Sequence, residues 1–204
     1  MSWSPPAGTA GLIFDCDGTL ADTMPAHYRA WVAVLAGVVI PFDEARFYQL
    51  GGVPTEKIVR VIAAESGVPL TDEQVMQLTH DKEASFADVL DRVSPIEPVK
   101  AIAERYRGRL PMAVASGGYR EVVARTVRVV GMADWFDEMV CAEDTTRHKP
   151  EPDVFLEAAR RLNVDPAKCV AFEDTDIGLE AARRAGMFGV DVRPWLPPRG
   201  AGGM

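Results

Sequence analysis

Three short apolar runs in this chain each break off onto polar residues, and that pattern constrains the fold more than any bulk property does. Leu12-Ile13-Phe14 is followed by Asp15-Cys16-Asp17-Gly18-Thr19, Met112-Ala113-Val114-Ala115 by Ser116-Gly117-Gly118, and Cys169-Val170-Ala171-Phe172 by Glu173-Asp174-Thr175. A run this short, apolar at every position and bounded by polar or turn residues, reads as a strand buried on both faces of a parallel sheet. Ligands of such sheets bind beyond the carboxyl ends of the strands. If the three strands are neighbours, two carboxylates, a hydroxyl and an acidic pair meet at one edge. That set suits metal-assisted chemistry on an anionic group.

From Ile96 onward, strand and helix patterns alternate. Helices are expected over Glu97 to Arg107, Tyr119 to Val130, Pro152 to Leu162 and Asp176 to Ala185, the last closed by Gly186. Strands are expected at Met112 to Ala115, Glu138 to Cys141, Cys169 to Phe172 and Phe188 to Val192. Repeated βα units imply an α/β fold with a doubly wound parallel sheet and right-handed crossovers. Residues 21–94 break the pattern, with helical segments at Met24 to Ala36, Thr55 to Ser66 and Asp72 to Leu90 and no strand. The expected organisation is therefore a catalytic α/β core, residues 1–20 and 95–204, with an inserted α-helical cap over 21–94. A cap over the strand ends would exclude water and select the substrate.

The net charge of -8 and the lack of a basic stripe argue against nucleic acid as a partner. An anionic substrate then needs a local cation, and Mg²⁺ with a lysine is the obvious means. Cys16, Cys141 and Cys169 lack metal-type spacing and read as small buried thiols of a reducing compartment. Carboxylates on either side of Cys16 would suppress its thiolate, which speaks against a thiol nucleophile. No apolar stretch is long enough to span a bilayer, and Met1 to Ala10 lacks a signal-peptide pattern, so no membrane partner and a cytoplasmic location are expected. Pro197 to Met204 reads as a frayed tail.

Asp15 and Asp17 lie two apart where a strand ends, so both can face one side. Two close carboxylates call for a cation, and hard oxygen ligands favour Mg²⁺. Gly18 permits the sharp turn that follows. Ser116 with the open amides of Gly117-Gly118 can cradle a phosphate, or it can be an ordinary helix N-cap. Lys149, in the proline-stiffened loop His148-Lys149-Pro150-Glu151-Pro152, can neutralise a phosphate or be a solvated loop residue. Glu173-Asp174 can hold a metal or complement a helix dipole, with Thr175 or Asp176 as the cap.

Taken in order, Asp15-Cys16-Asp17-Gly18-Thr19, Ser116, Lys149 and Glu173-Asp174 resemble the motifs of the haloacid-dehalogenase-like hydrolase superfamily, over nearly the whole chain. Phe172-Glu173-Asp174-Thr175 with Gly178 and Ala181-Ala182-Arg183-Arg184-Ala185-Gly186-Met187 is similar to its β-phosphoglucomutase-like branch. Leu50-Gly51-Gly52-Val53-Pro54-Thr55 and His148-Lys149-Pro150 look most like fructose-1-phosphate phosphatases within that branch. The resemblance implies Asp15 as nucleophile and Asp17 as general acid and base. It implies Mg²⁺ on the Asp15 side chain, the Asp17 carbonyl and Asp174, with Glu173 binding directly or through water. Thr19, His27, Gly52, Ser116, Gly117 and Lys149 fall at its substrate- and phosphate-binding positions. His27 can couple cap closure to chemistry or be a plain helix-face residue.

The implied activity is hydrolysis of a small sugar phosphate; separately, a monomer is expected. Mutases of this branch also carry cap arginine and lysine residues that grip a second phosphate. Counted without gaps, those positions fall at Thr55 and Asp88, neither cationic, with Lys57, Arg60, Lys82 and Arg92 nearby. The alternatives are a sugar-phosphate mutase and a non-catalytic sugar-phosphate-binding module.

Overall fold

The computed structural model describes residues 3–196. Pro197 to Met204, expected as a tail, lie outside the described residues. Five strands, β1 (Gly11–Phe14), β2 (Met112–Ala115), β3 (Glu138–Val140), β4 (Cys169–Glu173) and β5 (Phe188–Asp191), form one sheet in the order β3-β2-β1-β4-β5. Every pair is parallel, with Ile13 opposite Ala113 on one side and Ala171 on the other. The three apolar runs are thus the three central strands, which is why none could afford a polar position.

Eight α-helices accompany the sheet among the described residues: α1 (Met24–Leu35), α2 (Glu44–Gln49), α3 (Thr55–Glu65), α4 (Asp72–Ala87), α5 (Glu97–Tyr106), α6 (Arg120–Val129), α7 (Asp153–Arg161) and α8 (Asp176–Arg184). Alternate strand residues face opposite layers. Leu12, Phe14, Met112, Val114, Val170 and Phe172 pack with Val99 and Ile102 of α5 and Val123 and Val127 of α6. Ile13, Ala113, Ala115 and Ala171 pack with Phe155 and Ala158 of α7 and Ala181 and Ala182 of α8. The second face is built largely from alanine, so α7 and α8 lie close on the sheet. The expected α/β doubly wound parallel sheet is what the chain forms.

Between β1 and α5 the regular elements of the chain are all helical. They include one helix the sequence pattern did not suggest, α2, which Asp43 caps by accepting a 2.7 Å hydrogen bond from the Arg46 amide. α4 begins with a capping box in which Thr71 accepts from the Gln74 amide and the Gln74 side chain accepts from the Thr71 amide. Trp31, Leu35, Phe47, Ile58, Val59, Ile62 and Val75 form a hydrophobic cluster of their own. A second cluster, Ala26, Ala30, Phe86 and Leu90, packs against Val122 of α6. The two connections to the sheet run side by side: the Asp22 amide donates to Ser94 O (2.9 Å), the Ile96 amide donates to Leu20 O (3.0 Å), and Ala21 bridges Pro95.

Candidate active site

The carboxyl ends of β1, β2 and β4 open under the helices of residues 24–87, enclosing a cavity of about 300 Å³. Asp15, Asp17, His27, Gly52, Ser116, Gly117, Lys149, Glu173 and Asp174 all line it. Of the catalytic, metal-binding and phosphate-binding positions that the resemblance implies, Thr19 alone does not. It is fully buried, and its hydroxyl points at Asp174 Oδ1 (3.4 Å), so it orients a carboxylate rather than touching a ligand in the cavity.

Lys149 is the centre of the floor. Its ammonium donates to Asp15 Oδ1 (2.7 Å), Glu173 Oε1 (2.6 Å) and the Ala115 carbonyl (3.3 Å) and is 7 % exposed. It is not a solvated loop lysine. Burial disfavours its charge, yet the Asp15 and Glu173 carboxylates outweigh that and hold the ammonium above its ordinary range. Burial also pushes the Asp15 carboxyl up to about 7 despite the Lys149 charge, with Glu173 and Asp17 adding repulsion. Cys16, beside it, is buried and pushed far up by burial and by Asp17 and Asp15, which removes it as a nucleophile. Cys141 and Cys169 are likewise buried and free, pushed by burial to about 12 and about 11.

Asp15, Glu173 and Asp174 each offer a carboxylate oxygen within 4.8 Å of the others, all three residues being buried. Two glycines make room for them. A Cβ on Gly18, whose φ is +83°, would lie 2.1 Å from Asp174 Oδ2, and one on Gly178 would lie 1.9 Å from Glu173 Oε1. The second oxygen of Glu173 accepts from the Thr175 amide (2.8 Å) and hydroxyl (2.9 Å), while Thr175 Oγ1 caps α8 by accepting from the Gly178 amide. A hard, buried, all-carboxylate donor set with a raised Asp15 carboxyl fits a divalent oxygen-seeking cation. Such a cation would restore Asp15 to its ionised form.

Asp17 sits at the rim. Its Oδ1 accepts from Thr23 Oγ1 (2.8 Å) and lies 3.4 Å from His27 Nε2. Burial works against its charge, but His27 and Thr23 prevail and hold the carboxyl below its usual range. His27 is no bystander on a helix face: its other nitrogen lies 2.9 Å from Lys82 Nζ and its ring stacks on Phe86 at 3.7 Å. Burial and the Lys82 charge lower its pKa, so the ring is neutral.

Ser116 is not a helix cap, since Tyr119 occupies that position of α6; its hydroxyl accepts from the Gly118 amide (3.0 Å) and lines the cavity. Gly51 and Gly52 approach from the cap side, where a Cβ on Gly52 would lie 3.0 Å from Ile177 of α8. Of the cap cations noted in the sequence, Lys82 is the one that lines the cavity. Asp88 is the exposed C-terminal cap of α4 and lies away from the cavity lining, whereas Lys82, six residues earlier, faces into it and is 3 % exposed. Thr23, Glu83 and Thr175 went unnoticed as site residues. Thr23 and His27, four apart at the start of α1, share a helix face, and that spacing was the available signal.

The fold, the four convergent segments and the buried acidic cluster define a hydrolase of one particular class. The family model of haloacid dehalogenase-like hydrolases matches residues 9–186, and the chain belongs to that family. It is 39% identical over 184 residues to the fructose-1-phosphate phosphatase YqaB of Escherichia coli (strain K12), covering 90% of this chain and 96% of that protein. It is 30% identical over 196 residues to the β-phosphoglucomutase of Bacillus subtilis (strain 168), covering 93% and 86%. Among solved structures it resembles in fold a β-phosphoglucomutase from Clostridium difficile, with a TM-score of 0.81 and 24% identity over 90% of this chain and 84% of that one.

Proposed function

We propose that this enzyme is a Mg²⁺-dependent phosphatase that hydrolyses a small sugar monophosphate through an aspartyl-phosphate on Asp15. The observation that carries the proposal is the buried Lys149 ammonium between the Asp15 and Glu173 carboxylates at the floor of a closed-over cavity. The 39% identity to a fructose-1-phosphate phosphatase supports the substrate class.

Asp15, Asp174 and Glu173 would hold the Mg²⁺, with the Asp17 backbone carbonyl beside them. Bound there, the ion would neutralise negative charge during the phosphoryl transfer. Lys149, the Ser116 hydroxyl and the Gly117 amide receive the phosphoryl oxygens. In the first step an Asp15 carboxylate oxygen forms a bond to phosphorus as the bond from phosphorus to the sugar oxygen breaks, and Asp17 gives that oxygen a proton. In the second, water attacks the aspartyl-phosphate, Asp17 takes the water proton, and the bond to Asp15 breaks, returning both residues to their starting forms.

Asp17 must therefore alternate between two forms. The hydrogen bonds from Thr23 and His27 favour the ionised one, which is the base required in the second step. The dianionic substrate raises the Asp17 pKa on arrival, so Asp17 takes up from solvent the proton it gives in the first step. Residues 21–94 act as one cap over this site, with the paired connections at Asp22–Ser94 and Leu20–Ile96 as its hinges.

One observation favours a second reading, transfer of phosphate within a sugar rather than to water: Lys82 supplies a cation on the cap side of the cavity. The test is a phosphate-release screen over hexose and pentose monophosphates with Mg²⁺, following the isomeric sugar phosphate in parallel. Free phosphate is the expected product. An isomeric phosphosugar appearing much faster than phosphate would assign a mutase, and no product from any substrate would assign a binding module.

A further inference from the structure

Away from the cluster around Asp15, the fully charged residues lining the cavity are Glu56, Lys82, Glu83 and Glu143. Lys82 of α4 is the one cation of that group, and it is committed. Its ammonium lies 2.9 Å from His27 Nδ1 and 3.0 Å from Glu83 Oε1, with the Trp31 and Phe86 rings 5.8 and 5.5 Å away. An ammonium among aromatic walls needs a carboxylate nearby. The partner carboxylate is itself pinned from a different helix, because Thr55 Oγ1 at the start of α3 donates to the same Glu83 oxygen at 2.5 Å. The other oxygen, Oε2, accepts no hydrogen bond from the described residues, and the Glu83 side chain is 23 % exposed.

We propose that Glu83 is a specificity-determining residue: held by Thr55, it masks the Lys82 charge and presents a carboxylate oxygen to the cavity, so the end remote from Asp15 accepts a neutral hydroxyl-bearing chain and rejects a second phosphoryl group. This rests on the phosphatase reading of the same site. A carboxylate is an acceptor only, matched by sugar hydroxyls that donate and opposed by a phosphate dianion. Glu56 and Glu143 are no help to an anion. Glu56 pairs with Arg60 and Glu143 accepts from the Arg120 amide, so at the cavity wall both offer acceptor oxygens and no donor to an anion. Lys82, the residue that would otherwise welcome a second phosphate, is thereby spent on holding His27 and Glu83.

A Glu83 that served only to tie α4 to Thr55 of α3 would, when lost, weaken all substrates alike. The experiment therefore reads a ratio. Phosphate release from fructose 1-phosphate and from fructose 1,6-bisphosphate is measured for the wild type, Glu83→Gln and Glu83→Asp with Mg²⁺, and calorimetric binding of both compounds is measured on the same proteins. In kcat/KM the wild type should prefer the monophosphate by about tenfold or more, and Glu83→Gln should narrow that preference by about tenfold, through a gain for the bisphosphate as well as a loss for the monophosphate. Glu83→Asp should recover part of the preference. A ratio that stays within about twofold of wild type in Glu83→Gln overturns the assignment, even if both activities fall together. Should the wild type release phosphate from neither compound, the phosphatase reading is decided by the wider sugar-phosphate screen, and the binding ratio still decides the role of Glu83 by the same criterion.

Discussion

Lys149 Nζ lies 2.7 Å from Asp15 Oδ1, and the same ammonium lies 2.6 Å from Glu173 Oε1. One cation thus fixes the proposed nucleophile and one of the proposed metal-binding carboxylates, from a loop that joins β3 to α7. Removing one partner of a buried charge pair typically costs about 3–5 kcal/mol, because the remaining charges are left uncompensated. Lys149→Ala should therefore lower the melting temperature sharply in chelator and less so in Mg²⁺, which can take over part of the neutralisation. Its kcat/KM should fall by at least about a hundredfold, the usual loss for one preorganised charge stabiliser. A melting temperature in chelator equal to that of wild type would contradict the buried triad.

Chelation should eliminate turnover and Mg²⁺ should restore it, because Asp15, Glu173 and Asp174 gather their carboxylates within 4.8 Å. Ca²⁺ should inhibit, since its looser, higher coordination holds carboxylates in geometries unsuited to in-line attack. Calorimetric titration of the chelated protein with Mg²⁺ checks binding separately from activity. Undiminished turnover in excess chelator would remove the metal assignment.

Two of the carboxylates depend on glycines for their place. A Cβ on Gly178 would lie 1.9 Å from Glu173 Oε1, whereas one on Gly189 meets nothing nearer than Leu179 at 3.5 Å. Gly178→Ala should cost about 1–3 kcal/mol, as overpacking does, and should weaken Mg²⁺ binding by displacing Glu173. Gly189→Ala should leave both within error. Equal melting temperatures and Mg²⁺ affinities for the two variants would show that the Glu173 carboxylate is not confined by α8.

Asp144 gives a stability prediction away from the site. Burial opposes its charge, but Arg161 (2.8 Å), the Cys141 amide (2.8 Å) and Arg120 hold the carboxyl below its usual range. A carboxyl depressed in the folded state adds stability that is complete above its unfolded pKa of about 4 and is lost as pH falls through the lower folded value. Asp144→Asn should therefore be less stable than wild type by about 1–3 kcal/mol at neutral pH. The gap should narrow only below about pH 4. Melting curves from pH 7 downward read both, and a gap that widens on acidification would reverse the sign argued here.

The central sheet was legible because Gly11–Phe14, Met112–Ala115 and Cys169–Glu173 are buried at every position, and a strand covered on both faces tolerates no polar residue until it ends. The polar residues that end those strands were legible for the same reason. α2 was not, since the six residues Glu44–Gln49 are too few to display a helical period. Lys82 was legible only as one of four nearby cap cations, Lys57, Arg60, Lys82 and Arg92. The packing of α4 on α1 singles it out, turning it, with Phe86 one turn later, toward His27, because cavity access follows the helix face and not sequence distance.

The claim on which the rest depends is that Asp15 carries the phosphoryl group. The direct measurement is an acid quench during turnover of the best sugar monophosphate, followed by borohydride reduction of any acyl phosphate and mass spectrometry of the peptide containing Asp15-Cys16-Asp17. The account predicts homoserine at position 15, dependent on substrate and Mg²⁺, and loss of both the adduct and phosphate release in Asp15→Asn. Steady phosphate release with no reduced residue at position 15, and an Asp15→Asn variant within tenfold of wild type, would contradict it.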